Sequence, residues 1–446
     1  MGDVERFRQQ EQFERNPFWA DYQVLGPMLG AVSMLLGTQD IMPVMVGSRG
    51  CAWHTRLTMY AWGVDFGVRR RAVPTLDFTP KQIVSGNYVV GSEQMAALRR
   101  ISEANSIHMA VLLPGDSANL AGDGLDGLSA QVSDGLGIPA PVLRVSPISG
   151  SNPWVGYDQA LGLIYDEVSR HATAPGKRPG VNLFGWKWPS REQDYDVGTC
   201  LRLLEQLQVP VNHVLPGGAS LADFADSLRS QVNLLWCSSY IGPTLHRLED
   251  EGGLKLAGLQ TPYGFTGTLQ WIDELAAALD DPKVAERGRA IASQHQPELE
   301  ELRNELRGKR VFVSGGPGRI LGLLHAMMDL ELEVVAVGLY WIHSELRAQF
   351  EQVLAQLPRP PKKLLVTPSL YELDQVAEEL RPDVWLGGYQ ELHPCKKHNI
   401  PFVPTTLYIK SHQAFEGCIR LGNKMVQAIN GYDFVVNPFM TKEMTG

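Results

Sequence analysis

The feature that most constrains this chain is a repeated alternation: a short apolar run, a turn rich in Gly, Pro or Ser, then an amphipathic stretch. The runs HMAVLLPGDS, APVLRVSPISGS, GVNLFGWKWPS, VNHVLPGGAS, VNLLWCSS, KRVFVSGGPGR, EVVAVGLYW and KLLVTPS read as buried strands that end in loops. Between them, DVGTCLRLLEQLQ, LADFADSLRSQ, ILGLLHAMMDLEL and LYELDQVAEELRP carry helical spacing. Apolar strands alternating with helices predict doubly wound α/β units with parallel sheets, in which loops after the strand C-termini build the sites.

Breaks fall near HATAPGKRPG and in the charged stretch HQPELEELRNELRGKR, which reads as a connector. They divide the 446 residues into a tail at 1–19, a first unit at 20–176, a second with its connector at 177–307, and a third at 308–446. The segment LGNKMVQAINGYD reads as a closing helix able to pack back across the subunit. A net charge of −9 without a basic face argues against nucleic acid as a partner. No window approaches the apolar length of a membrane span, and the charged start lacks a secretory pattern. Five cysteines, at 51, 200, 237, 395 and 418, are too few and scattered for a disulfide framework, so a reducing cytoplasm is expected.

Few residues stand where chemistry would place them. Cys51, in VGSRGCAWHT, follows the run IMPVMV and a Gly-rich turn; it suits a cluster ligand or reactive thiol, or a small residue filling a tight turn. Asp116, in LLPGDSANLAGDGL, is a strand-end aspartate that equally serves as a helix cap. Cys237 closes VNLLWC, where a helix N-terminus would favour its thiolate; a core thiol is the alternative. Cys200 lies within a helical stretch and reads as packing. In VSGGPGR, the amides around Gly315, Gly316 and Gly318, with Arg319, form a weak phosphate-loop pattern and a cradle for any anion. His393, Cys395 and His398 have metal-like spacing but no second ligand pair, and His412 precedes the final helix as a site imidazole or a solvated loop residue.

Taken in order, these loops resemble the component 1 family of nitrogenase and nitrogenase-like reductases, from about Leu25 to Val426. The resemblance implies three Rossmann-like domains around a central metallocluster crevice. The turn VGSRGC resembles the family's HGSQGC-type turn, implying that Cys51 ligates an iron–sulfur cluster at the subunit interface. Asp116 stands where the family has another interface cysteine, and the earliest family cysteine, near Gly26 or Pro27, is absent. VNLLWCSS followed by LAGLQTPYGFTGTLQWI is similar to the segment that binds one end of a large nitrogenase-type iron–sulfur cofactor, which falls on Cys237. The family's cofactor-contacting loop falls on Gly315, Gly316, Gly318 and Arg319. Tyr157 or Asp158 replaces the histidine used on dinitrogen, while the cofactor histidine segment falls on Tyr408 with His412 as the nearby imidazole. The departures imply a reductase other than a dinitrogenase, and the retained Cys237 argues against a tetrapyrrole reductase. The implied activity is ATP-dependent reductive C–S cleavage of small methylthio-alkanes (methylthio-alkane reductase type). The alternatives are a cofactor-assembly scaffold subunit and a metal-free α/β enzyme. The implied partners are a paralogous subunit, making a heterotetramer, and a separate ATP-hydrolysing iron–sulfur reductase, because GxxxxGK[ST] is absent here.

Overall fold

The computed structural model describes residues 26–47, 50, 53, 55, 73–145, 153–170, 176–185, 191–235, 242–257, 261–342, 344–405 and 410–431. Among these residues the strands form three parallel sheets. The first has the order β2-β1-β3, with β1 at Ile41–Gly47, β2 at Thr75–Asp77 and β3 at Met109–Pro114. In the second, β4 (Arg178–Phe184), β5 (Val211–Leu215), β6 (Ser230–Leu235) and β7 (Leu256–Ala257) take the order β5-β4-β6-β7. In the third, β8 (Arg310–Gly315), β9 (Glu333–Leu339), β10 (Lys363–Val366), β11 (Val384–Gly387) and β12 (Phe402–Pro404) take the order β10-β9-β8-β11-β12.

Alternation along the strands sends successive side chains to opposite faces, and both faces are covered. In the third sheet, Val311 and Val313 join one hydrophobic cluster while Phe312 and Trp385 stack in another, their rings 4.2 Å apart. In the first, Met109, Val111 and Leu113 face one cluster, and Ala110 and Leu112 the other. Four clusters thus alternate with three sheets. The cluster containing Val111 also contains Phe184, Leu215 and Leu235 of the second sheet. The one containing Val313 also contains Val181, Leu183 and Val232. Neighbouring units therefore share their cores.

The helices form largely where the spacing predicts. The charged stretch expected as a connector lies in the 25-residue helix Pro282–Leu306, which buries Leu299, Leu302 and Leu306. The closing helix, Ala414–Ile429, packs against that helix and against Gly264–Leu279. The run APVLRV contributes only an isolated bridge, Leu112 to Val142, in place of the expected strand. Among the described residues no helix is long and apolar enough to cross a membrane.

Candidate functional site

Each sheet reverses its strand order at one point: between β1 and β3, between β4 and β6, and between β8 and β11. Parallel doubly wound sheets place ligands outside the carboxyl ends of the strands at such points. The candidate residues follow those ends in sequence. Cys51 comes after β1, Asp116 after β3, Cys237 after β6, and Gly315 to Arg319 at the end of β8 and just beyond. Cys51, Cys237 and Tyr408 lie outside the described residues.

The third sheet's switch point is described most fully. After β8 the chain turns at Gly316, the N-cap of the helix Pro317–Asp329, whose cap makes no side-chain hydrogen bond. The Trp341 ring lies against this turn, so that a Cβ on Gly316 would sit 3.2 Å from the indole. Arg319 donates to the carbonyl of Thr405, and Thr405 in turn donates its N–H to the Gly387 carbonyl at 2.8 Å. The guanidinium is thereby drawn across the ends of β11 and β12.

His412 is brought to the same region. Thr261 donates its hydroxyl to the Gly318 carbonyl at 3.3 Å, and the neighbouring Pro262 carbonyl accepts the N–H of Ala414 at 2.8 Å. The Thr261–Tyr263 segment thus joins the β8 loop to the start of the final helix. Expected in one reading as a solvated loop residue, His412 is instead buried, with 1% exposure. Gly417 permits this, since a Cβ there would lie 2.2 Å from the His412 carbonyl carbon. Lys424 Nζ is 3.5 Å from His412 Nε2. Burial first, then the charges of Lys424, Arg319 and Arg420, hold the imidazole well below its usual pKa range. A neutral buried imidazole among three cations can ligate a metal whose surroundings carry negative charge.

The other predicted residues lie elsewhere. Asp116 is half-buried at the first turn of the short helix Asp116–Ala121, directly beyond β3. The Gly115 N–H donates to the Val46 carbonyl at 2.7 Å, so the ends of β1 and β3 are held together. Tyr157 is 2% exposed in the cluster shared by the first two sheets. Asp158 accepts the Thr244 N–H at 3.1 Å at the start of the helix Pro243–Asp250, an N-terminal capping position. Cys200 is buried in the helix Arg191–Gln206, and burial pushes its thiol up to about 12, in keeping with packing. In HPCKKH, Cys395 is fully buried while His398 bonds Asp374 at 2.9 Å. Among the described residues, no group of three or more His, Cys, Asp or Glu side chains is placed to hold a metal ion.

Sequence reasoning missed Glu391, which is fully buried beyond β11. Its Oε1 accepts hydroxyls from Tyr340 at 2.7 Å and Ser314 at 2.9 Å. The available signal was an acid three residues beyond Gly387-Gly388, at a strand end that the apolar-run criterion passed over.

Several known proteins are similar to this chain. One component chain of the light-independent protochlorophyllide reductase of Prosthecochloris aestuarii is 25% identical over 349 residues, 71% of this chain and 62% of the relative. The chain thus spans under two thirds of that protein's length. The nitrogenase molybdenum-iron protein alpha chain of Methanothermobacter marburgensis is 22% identical over 425 residues, 90% of this chain and 86% of the relative. The nitrogenase iron-molybdenum cofactor biosynthesis protein NifE of Sinorhizobium fredii is 24% identical over 397 residues, 85% of this chain and 76% of the relative. Among solved structures, "Nitrogenase Cp1 at pH 5" matches the fold with a TM-score of 0.73 and 17% identity, covering 99% of this chain and 96% of that one. Residues 26–430 match the family model of nitrogenase component 1 type oxidoreductases, and the chain belongs to that family.

Proposed function

We propose that this oxidoreductase-family chain is the cofactor-bearing subunit of an ATP-dependent, nitrogenase-like reductase that cleaves C–S bonds of small methylthio-alkanes. The observation that carries the proposal is the buried neutral imidazole of His412 with Lys424, Arg420 and Arg319 around it. A sulfide-rich cluster is anionic, and the positive charge of these three side chains beside a neutral imidazole favours such a group.

In this reading the three units, 20–176, 177–307 and 308–446, each supply part of the machinery. Cys51, with Asp116 beside the same sheet end, belongs to an iron–sulfur cluster shared with a paralogous subunit in a heterotetramer. Cys237 and His412 would hold the large iron–sulfur cofactor, and Gly315, Gly316, Gly318 and Arg319 would line it. When bound, that cofactor supplies low-potential electrons delivered by a separate ATP-hydrolysing iron–sulfur reductase in the cytoplasm. The protein's cations offset the cluster's charge, and the shared apolar cores hold the loops in place. Tyr157 and Asp158, which have structural partners, serve the scaffold in this reading and do not contact substrate. The overall reaction takes two electrons and two protons, breaks one C–S bond of a methyl thioether, and releases methanethiol and the alkane.

The similarity to a cofactor biosynthesis protein supports a second reading, a scaffold subunit that holds the cofactor without turnover. Anaerobic purification with the paralogous subunit, followed by iron and sulfide analysis and EPR, tests the first. Cys237→Ala is expected to lose the large cluster and all methanethiol release while keeping the interface-cluster spectrum, whereas Cys51→Ala is expected to damage the interface cluster and electron entry first. An iron-replete complex that never turns over with the reductase and ATP establishes the scaffold reading. Retention of iron and turnover by Cys237→Ala overturns the cofactor assignment.

A further inference from the structure

The carboxyl of Glu391 lies over the switch point of the third sheet, and its hydrogen bonds are fixed in direction. Trp385 Nε1 donates to Ser314 Oγ at 2.9 Å, and that hydroxyl donates to Glu391 Oε1 at 2.9 Å, closer than its other acceptor, the Leu386 carbonyl at 3.5 Å. The Gly388 N–H donates to Tyr340 Oη at 3.2 Å, leaving the phenol to donate to the same Oε1. Oε1 therefore accepts twice. Oε2 is equally buried and has no hydrogen-bond partner among the described residues. The side chain is seated closely, since a Cβ on Gly387 would lie 3.1 Å from its carboxyl carbon. A buried carboxylate oxygen without a donor is costly, whereas a buried O–H needs only one acceptor.

We infer that Glu391 is a proton-holding, positioning residue of this site: Oε2 carries the proton and offers it to a hydrogen-bond acceptor on the group bound outside β8 and β11. The partners of Oε1 are both donors, so the proton has only Oε2 to occupy. Among the described residues no cation compensates an ionised form. Arg319 acts on Tyr340 and is not among the groups that shift Glu391. The other titratable group that senses Glu391 is Cys395, on the helix Leu392–His398, and it is buried. On the neighbouring helix Leu370–Leu380, Asp374 is engaged by Lys397 and His398, and Glu372 by Ser369. Burial pushes the carboxyl up to about 7, with the hydroxyls of Tyr340 and Ser314 and, more weakly, the backbone N–H groups of Glu391 and Gly388 pulling it back.

The acceptor half of this inference rests on the proposed cofactor, and the proton-holding half does not. Infrared difference spectra of the complex, acidic minus alkaline, separate the two. The iron-stripped complex is expected to show a carboxylic-acid C=O band titrating near neutral pH and missing in Glu391→Gln. Should Glu391→Gln fail to fold, Tyr340→Phe provides the check. Removing one donor to Oε1 moves the midpoint of the same band upward. Absence of the band, or an unmoved midpoint in Tyr340→Phe, overturns the proton-holding role. Loading with iron–sulfur cofactor should raise the midpoint by about one pH unit, a tenfold change in proton affinity, as an acceptor against Oε2 requires. An unchanged or lowered midpoint in a loaded complex overturns the acceptor. A complex that takes up no cluster, yet shows the band, sinks the proposed function and leaves the proton-holding role standing.

Discussion

At the scale of single residues, the most consequential side chains are buried carboxyls whose partners are remote in sequence. Asp329 ends one helix and caps another. It accepts the Phe265 N–H at 2.6 Å, the Thr266 N–H at 3.0 Å and the Thr266 hydroxyl at 2.6 Å. Asp329→Ala strands these donors and is expected to cost about 3 kcal/mol in denaturant unfolding, with Asp329→Asn milder. Glu391 sets a pH dependence of the opposite kind from a salt-bridged acid. Its folded pKa, about 7, lies above the unfolded value, so stability is greatest below about pH 4.5 and falls as pH rises toward 7. The loss is on the order of 3 kcal/mol. A stability profile of Glu391→Gln should lack that slope. Neither role was legible in the sequence. An acid in a charged stretch gives no periodic signal, and its burial depends on which strands cross above it. His412 was legible as a candidate but not as a buried one. Its burial depends on Gly417 and on Ala414, which takes a left-handed φ of 57°.

At the scale of elements, the strand ends were readable, while three short strands, β7, β11 and β12, were not. Apolar runs identified β3, β4, β5, β6, β8, β9 and β10, because strands covered on both faces need continuous apolar sequence. The run in PDVWLGG yields only the four-residue β11, yet that strand makes the switch point beside Gly315. The helix Pro27–Gly37 crosses Pro153–Val168 at backbone contact. A Cβ on Gly30 would lie 1.7 Å from the Pro153 carbonyl oxygen, and one on Gly156 would lie 1.8 Å from that of Pro27. Gly30→Ala is therefore expected to destabilise by at least about 3 kcal/mol, the upper end for overpacking. Circular dichroism melts would read this, and a shift under about 0.5 kcal/mol would contradict the crossing.

At the scale of the whole molecule, the three units are joined through their interiors. Asp40, just before β1, accepts the Leu221 N–H at 2.9 Å and so caps a helix of the second unit. The cluster between the second and third sheets contains Leu204, Trp271, Leu323 and Met425 together. Calorimetry of the full chain is expected to show no separate transition for residues 308–446, and a resolved second peak would contradict the shared core. The α/β architecture with parallel sheets was visible in the sequence because strand and helix alternate along it. The sharing was not, since composition does not say which apolar faces meet. The position of Ala414–Ile429 on helices Gly264–Leu279 and Pro282–Leu306 has a consequence for synthesis. A ribosome adding roughly 5–20 residues per second needs on the order of ten seconds or more to travel from the earlier helices to the last one. Throughout that interval the growing chain exposes an apolar surface whose cover has not yet been made. Order of translation therefore leaves this half of the protein open longest, and a holding factor would have its work there.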